Sequence, residues 1–393
     1  RGGKLFAQGS ATEPIVFTSE EAAGSRKPGD WGGIIICGKA KNNQQEQIIE
    51  GGPRTKHGGD NDDDNSGVLS YVRIEFAGYP FQKDKEINGL TLGSVGNGTK
   101  IDHVQVSYTN DDSFEWFGGS VNCKYLVAYH GWDDDFDTDN GFSGAVQYGL
   151  VVRDARIADT SQSNGFESDN NASGSDVSPY TNATFSNITV IGPKAQTGVA
   201  FENTTDFIDG GSVFPNNGSA LGKFQAAFQI RRASRLNIIN SVAVGFPIGL
   251  IIDGEKGDTP AQAQAGTIRF HNNVFAGMDV IGSDANKVYD DVLYDAVNKA
   301  VIDANQKSYS NTFFFQEALK NKSYDDASAL GLQDASNVGS PFMPSATSPL
   351  LNLASFDGES SSWLDKVAYV GAFNATDNWL TGWTNFDPQN TKY

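Results

Sequence analysis

The chain has 393 residues, with 48 Asp+Glu against 29 Lys+Arg and a formal net charge of -19. A phosphate backbone is bound through clustered cations, so this balance excludes a nucleic-acid-binding protein. No apolar run reaches the roughly 18 residues that cross a bilayer, and 44 Gly against 13 Pro describe a turn-rich folded chain.

Strand character begins at once. Leu5, Ala7, Ile15, Val16 and Phe17 are apolar, without a capping helix before them. This predicts that further coils, and any export signal or acylated Cys, lie upstream of Arg1. Period-two alternation rich in β-branched and aromatic residues predicts strands over 34–37, 72–76, 101–108, 125–129, 148–152, 185–191, 236–244 and 268–275. Asn, Asp and Gly crowd the junctions between them.

A second signal lies between those strands. An aromatic followed by a carboxylate recurs as Phe114-Glu115, Phe136-Asp137, Phe166-Glu167 and Phe201-Glu202, then fades to Phe228-Gln229 and Leu250-Ile251. Two short strands per repeat of about 22 to 35 residues, with Gly/Asn corners, predict a parallel β-helix. In that fold Phe114, Phe136, Phe166, Phe201 and Phe228 form one interior stack. The fold class is therefore all-β, a solenoid over 1–283. Residues 284–393 are expected to supply a cap: an amphipathic helix over 286–305, on the spacing of Val288, Val292, Val297 and Val301, and an irregular tail. Trp363, Trp379 and Trp383 in that tail either pack along the solenoid or form a sugar-binding platform. Cys37 and Cys123 are either two buried thiols or one disulfide.

Between 111 and 139 lie Asp111, Asp112, Glu115, Asp133, Asp134, Asp135, Asp137 and Asp139, against the single cation Lys124. Alternate residues of a strand share a face, so Asp135, Asp137 and Asp139 point one way and Phe136 and Thr138 the other. Aligning the aromatic-acid steps places Glu115 and Glu167 on either side of Asp137, with Asp169 beside Asp139. Carboxylates one coil apart, about 4.8 Å, repel unless a cation or protons intervene. Hard oxygen donors without a His/Cys set suit Ca²⁺, and the candidate ligands are Glu115, Asp135, Asp137, Asp139, Glu167 and Asp169. A solvated acidic face and a catalytic carboxylate pair are the alternatives. The run from Asp135 to Gly141 is not an EF-hand, because Gly141 comes one place late and Val146 replaces the bidentate Glu. Asp60, Asp62, Asp63 and Asp64 form a second acidic loop, read as a solvated turn. His130 and Arg153 are the candidates for a catalytic base, with a structural role for His130 as the alternative.

Several runs carry a resemblance. Trp31-Gly-Gly-Ile-Ile-Ile-Cys-Gly, Tyr71-Val-Arg-Ile-Glu-Phe-Ala-Gly, Asp112-Ser-Phe-Glu-Trp-Phe-Gly-Gly, Asp133-Asp-Asp-Phe-Asp-Thr-Asp-Asn-Gly and Gly165-Phe-Glu-Ser-Asp-Asn, with Val370-Gly-Ala-Phe and Gly382-Trp-Thr, resemble bacterial surface β-helix lipoproteins. These occur in Bacteroidetes and other Gram-negative bacteria and in spirochaetes, often beside TonB-dependent receptors. The resemblance implies an exported, right-handed, pectin-lyase-like β-helix, lipid-anchored at the outer membrane. With the acidic face, the expected function is a calcium-stabilised surface protein that binds a glycan, a nutrient complex or a partner receptor. A polysaccharide lyase or glycoside hydrolase, and a structural adhesion component, are the alternatives.

Overall fold

The computed structural model describes residues 1–44, 47–49, 55–82, 85–195, 200–213, 220–333 and 342–393. Two parallel sheets carry the chain. In the longer, Leu5–Gln8, Gly67–Glu75, Lys100–Ser107, Cys123–Tyr129, Ala145–Val152, Thr184–Ile191, Val242–Val244, Val274–Ala276 and Lys322–Tyr324 lie side by side in chain order. In the other, eight strands from Ile34–Cys37 to Val280–Ser283 do the same. Successive coils give strands to both sheets, and each inner strand pairs in parallel with the coil before and the coil after it, which is a parallel β-helix.

Alternation decides what fills the interior. Phe114, Phe136, Phe166 and Phe228 are fully buried, and their ring centroids follow one another at 5.5, 5.1 and 5.0 Å. Phe201 does not belong to this stack. It lies in an insertion between Thr184–Ile191 and Ala226–Ile230 and packs on Phe207 and Phe224. The coil after Phe166 is completed by Phe228, because Glu167 pairs in register with Gln229.

The strands of the long sheet are bent at one point. Tyr71, His103, Tyr125, Tyr148, Asn187, Asn240 and Asn272 all have φ between 50° and 63°. Tyr71, His103, Tyr125, Tyr148 and Asn187 are opposite one another in consecutive coils. A non-glycine residue in this region costs about 1–2 kcal/mol. Stacking offsets it: the rings of Tyr71 and His103 are 4.2 Å apart, His103 and Tyr125 4.4 Å, Tyr125 and Tyr148 5.0 Å. The bend also breaks the alternation, so Ile101 and Val104 both face inward.

The C-terminal tail binds along this bend. Side-chain amides replace a neighbouring backbone: Gln105 accepts from the Asn385 N–H and donates to its carbonyl, and Gln147 does the same with Asp365. Asn187 donates to the Tyr369 carbonyl, Asn240 exchanges two bonds with Ser355, and Asn272 donates to the Leu353 carbonyl. Trp383 is buried edge-on against Tyr71 and His103, and Trp379 stacks on Phe373. Lys124 lies over the Trp363 ring. The tail tryptophans therefore pack on the solenoid.

The helix expected over 286–305 is not formed. Leu293–Asp295 and Ala300–Asp303 pair as an antiparallel hairpin instead. Asp295 accepts the backbone N–H of Asn298, and Lys299 takes φ 52°, a local turn that stops helix propagation. The segment's later apolar positions find no surface to cover, since Val297, Val301 and Ile302 are 67%, 52% and 62% exposed. The last coil is plugged by the six-residue helix Tyr309–Phe314, whose Phe314 ring stacks 4.4 Å from Phe275. The two described α-helices are both six residues long, and no described helix is long and apolar enough to cross a membrane. Cys37 and Cys123 are free thiols in different sheets, and burial raises the pKa of each.

Candidate metal centre

The outer face of the eight-stranded sheet carries the acidic residues, because the inward places are taken by the Phe stack. Thr91, Glu115, Asp137, Glu167, Gln229 and Ile251 are register partners across six strands. Just before these strands, the turns place Asp111-Asp112 and Asp133-Asp134 in successive coils. A side-chain clasp fixes them: Asp112 Oδ1 accepts the Asp134 N–H at 2.9 Å, Asp134 Oδ1 accepts the Asn164 N–H at 2.5 Å, and Asn164 Oδ1 accepts the Ala226 N–H at 3.0 Å.

The result is a polar cleft of about 270 Å³. Two groups of oxygens converge in it, Asp111 with Asp112 and Asp133, and Asp112 with Glu115 and Asp137, each with its ligand atoms within 4.8 Å of one another. Burial, and then repulsion from neighbouring carboxylates, raises the pKa values of Asp112, Asp133, Asp134 and Asp137 well above the ordinary range. Arg231 is the one cation among the described lining residues. It is committed to the C-terminal end of the cleft, donating to Glu167 and, through Nε at 2.8 Å, to Asp169. Arg232 also reaches Asp169, at 2.5 Å.

The six ligands expected from the sequence therefore separate. Glu115 and Asp137 meet around Asp112. Glu167 and Asp169 are held by arginine. Asp139 accepts its neighbour's N–H from Asn140 at 2.5 Å and feels Asp169 and both arginines. Asp135 is fully buried and salt-bridged to Arg153 at 3.1 Å, with burial raising its pKa to about 7. Arg153 is itself buried and donates to the carbonyls of Asp133 and Trp132. His130 hydrogen-bonds Tyr108 at 3.1 Å, and burial lowers its pKa to about 4. Neither base candidate lines the cleft. In the second acidic loop Asp62 pairs with Lys41 at 2.6 Å and Asp64 bonds Ser66.

Asp111, Asp112 and Asp133 are the contributors that alternation did not select, since they sit in turns before the strands. Their signal was the repeated Asp-Asp doublet, spaced like Phe114 and Phe136. Gln229 stands in the sequence only as the fading end of the aromatic-acid repeat, and Arg231 lies beyond a long insertion, out of reach of local spacing.

The donor set fits a hard divalent cation. It is all oxygen, and Oδ1 of Asp133 and Oδ1 of Asp137 are buried without a hydrogen-bond partner among the described residues. A bound Ca²⁺ would supply positive charge here and hold oxygen ligands from outside; Asp111, Asp112, Glu115, Asp133 and Asp137 would hold it.

No curated protein and no solved structure matches the chain. A family model for a pectate-lyase-like β-helix domain matches residues 1–316, which span both sheets as far as the terminal plug. The chain belongs to that pectate-lyase-like β-helix family.

Proposed function

We propose that this protein is an exported, calcium-dependent glycan-binding β-helix of the bacterial cell surface, with the acidic cleft as its binding site. The observation that carries the reading is the convergence of four half-buried carboxylates on the buried Asp112 in a cleft whose lining is almost wholly polar. Such a group is destabilising by itself and becomes favourable when a cation joins it. A cation held on one side by protein leaves coordination positions that sugar hydroxyls or carboxylates can fill. The likeness to surface lipoproteins supports the location, and a TonB-dependent receptor is the partner it suggests.

Binding rather than turnover is favoured by the placement of the bases. Lyase chemistry asks for a basic group beside the cation. Arg153 is buried and His130 half-buried outside the cleft, and Arg231 is held by two carboxylates.

A glycan array probed with the calcium-loaded protein, and again after EDTA, tests this. Retention of a glycan class only with calcium is the expected result. Calcium-independent retention, or none with any glycan, would remove the reading. Release of unsaturated oligosaccharide from the retained glycan would turn it into the lyase alternative.

A further inference from the structure

We infer that the cleft holds two divalent cations bridged by Asp112, an inference that rests on the reading of the cleft as a cation site. Asp112 is the one residue common to both converging groups, with Asp111 and Asp133 on one side and Glu115 and Asp137 on the other. Each side has its own buried orphan: Asp133 Oδ1 in the first and Asp137 Oδ1 in the second, neither with a hydrogen-bond partner among the described residues. One cation between Asp112 and Asp137 satisfies the second orphan and leaves the first.

Charge leads to the same count. The two groups share five carboxylates, three in each with Asp112 in common. With all five ionised, as cation binding requires, one divalent cation would leave three of those negative charges together around Asp112. Two would leave one. Arg231 cannot supply the difference, because Glu167 and Asp169 already engage its guanidinium.

A further buried group points to a ligand at the same place. Gln229 is 1% exposed and lines the cleft. Its Oε1 accepts from Asn164 Nδ2 at 3.1 Å, while its Nε2 has no hydrogen-bond partner among the described residues. An amide donor beside an acidic cluster is matched by an oxygen that a cation carries, from water or from a sugar. Asp112 is also held by the clasp to Asp134, so its carboxylate is oriented before any cation arrives. A carboxylate bridge sets two cations roughly 4 Å apart, the spacing of two-metal sites.

The test is calorimetric titration of Ca²⁺ into the full EDTA-stripped and dialysed chain. Two equivalents are expected. Asp133→Asn and Asp137→Asn should each reduce this to one, and Asp112→Asn should weaken both sites at least tenfold. A single equivalent in the unaltered protein would overturn the pair and leave the cation reading standing; none would overturn both. Loss of only one site in Asp112→Asn would overturn the bridge. Electron paramagnetic resonance of the unaltered protein with two equivalents of Mn²⁺ checks the count without any substitution. A spin-coupled spectrum is expected, and two independent six-line signals would refute bridging.

Discussion

Phe166 lies against Phe228 in the next coil, ring centroids 5.0 Å apart, although the whole insertion that carries Phe201 comes between them in sequence. The solenoid thus closes over its core irrespective of what it extrudes. Phe166→Ala is expected to cost about 3–5 kcal/mol, the range for a buried aromatic that leaves a cavity. Phe201→Ala, in a half-buried satellite cluster, is expected to cost about 1 kcal/mol. Urea unfolding of the two variants measures the contrast, and equal losses would place Phe201 in the main stack.

Cation binding should appear as stability. At a hundredfold excess over Kd a single site contributes about 2.7 kcal/mol. EDTA should therefore lower the melting temperature of calcium-loaded protein by several degrees at neutral pH. In Asp112→Asn the difference should fall to about half or less, since a tenfold weaker site at the same calcium concentration contributes about 1.4 kcal/mol. Equal melting curves with and without EDTA would contradict a cation in the cleft.

Acid should destabilise the fold through two imidazoles. His57 is fully buried against Ser94 and Phe117, and burial lowers its pKa to about 4, as it does for His130. The unfolded chain takes up these protons near pH 6.5 and the folded chain only near pH 4. Each neutral ring therefore contributes stability that is present above pH 6.5 and is lost as the pH falls towards 4, up to about 3 kcal/mol. His57→Phe removes one titration while keeping a ring beside Phe117. The free-energy difference between this variant and the parent should shift in the variant's favour between pH 6.5 and 4, as followed by urea unfolding. A pH-independent difference would show that His57 protonates alike in both states.

The tail should be detachable one bond at a time. Gln147→Ala removes the amide that both accepts from and donates to Asp365, and it takes a donor from Asn187. The expected cost is about 1–3 kcal/mol, with faster proteolytic cleavage of the tail. Trypsin cleavage at Lys366, followed by mass spectrometry, reports it; unchanged cleavage would mean that the tryptophans alone hold the segment.

Much of this was written in local pattern. The strands, the parallel coils and the Glu115, Asp137, Glu167 column follow from alternation and from the recurring aromatic-acid step, because a parallel sheet places like beside like. Alternation fails where the backbone leaves the β region. The left-handed residue at His103 reverses the parity of the strand, and the turns at Asp111 and Asp133 have no parity to read. The hairpin at 293–303 shows the complementary failure. Val292, Val297 and Val301 have helical spacing, but a helix in a protein is stabilised by the face it buries, and here no face was available. The arginines that claim Glu167 and Asp169 come from a coil displaced by the insertion, a distance that only the closed solenoid removes.

The column of left-handed residues has a consequence for how such a chain can change length. Tyr71, His103, Tyr125, Tyr148 and Asn187 must fall at the same point of their coils for the rings and amides to stack. Deleting a single residue between Ile101 and His103 would carry the bend into Val104 and turn every later side chain of that strand to the opposite face. Adding or removing an entire coil leaves every rung in place. Growth of this molecule is therefore quantised: the loops can lengthen freely, as between Thr184–Ile191 and Ala226–Ile230, while the strands can be gained or lost only as complete turns.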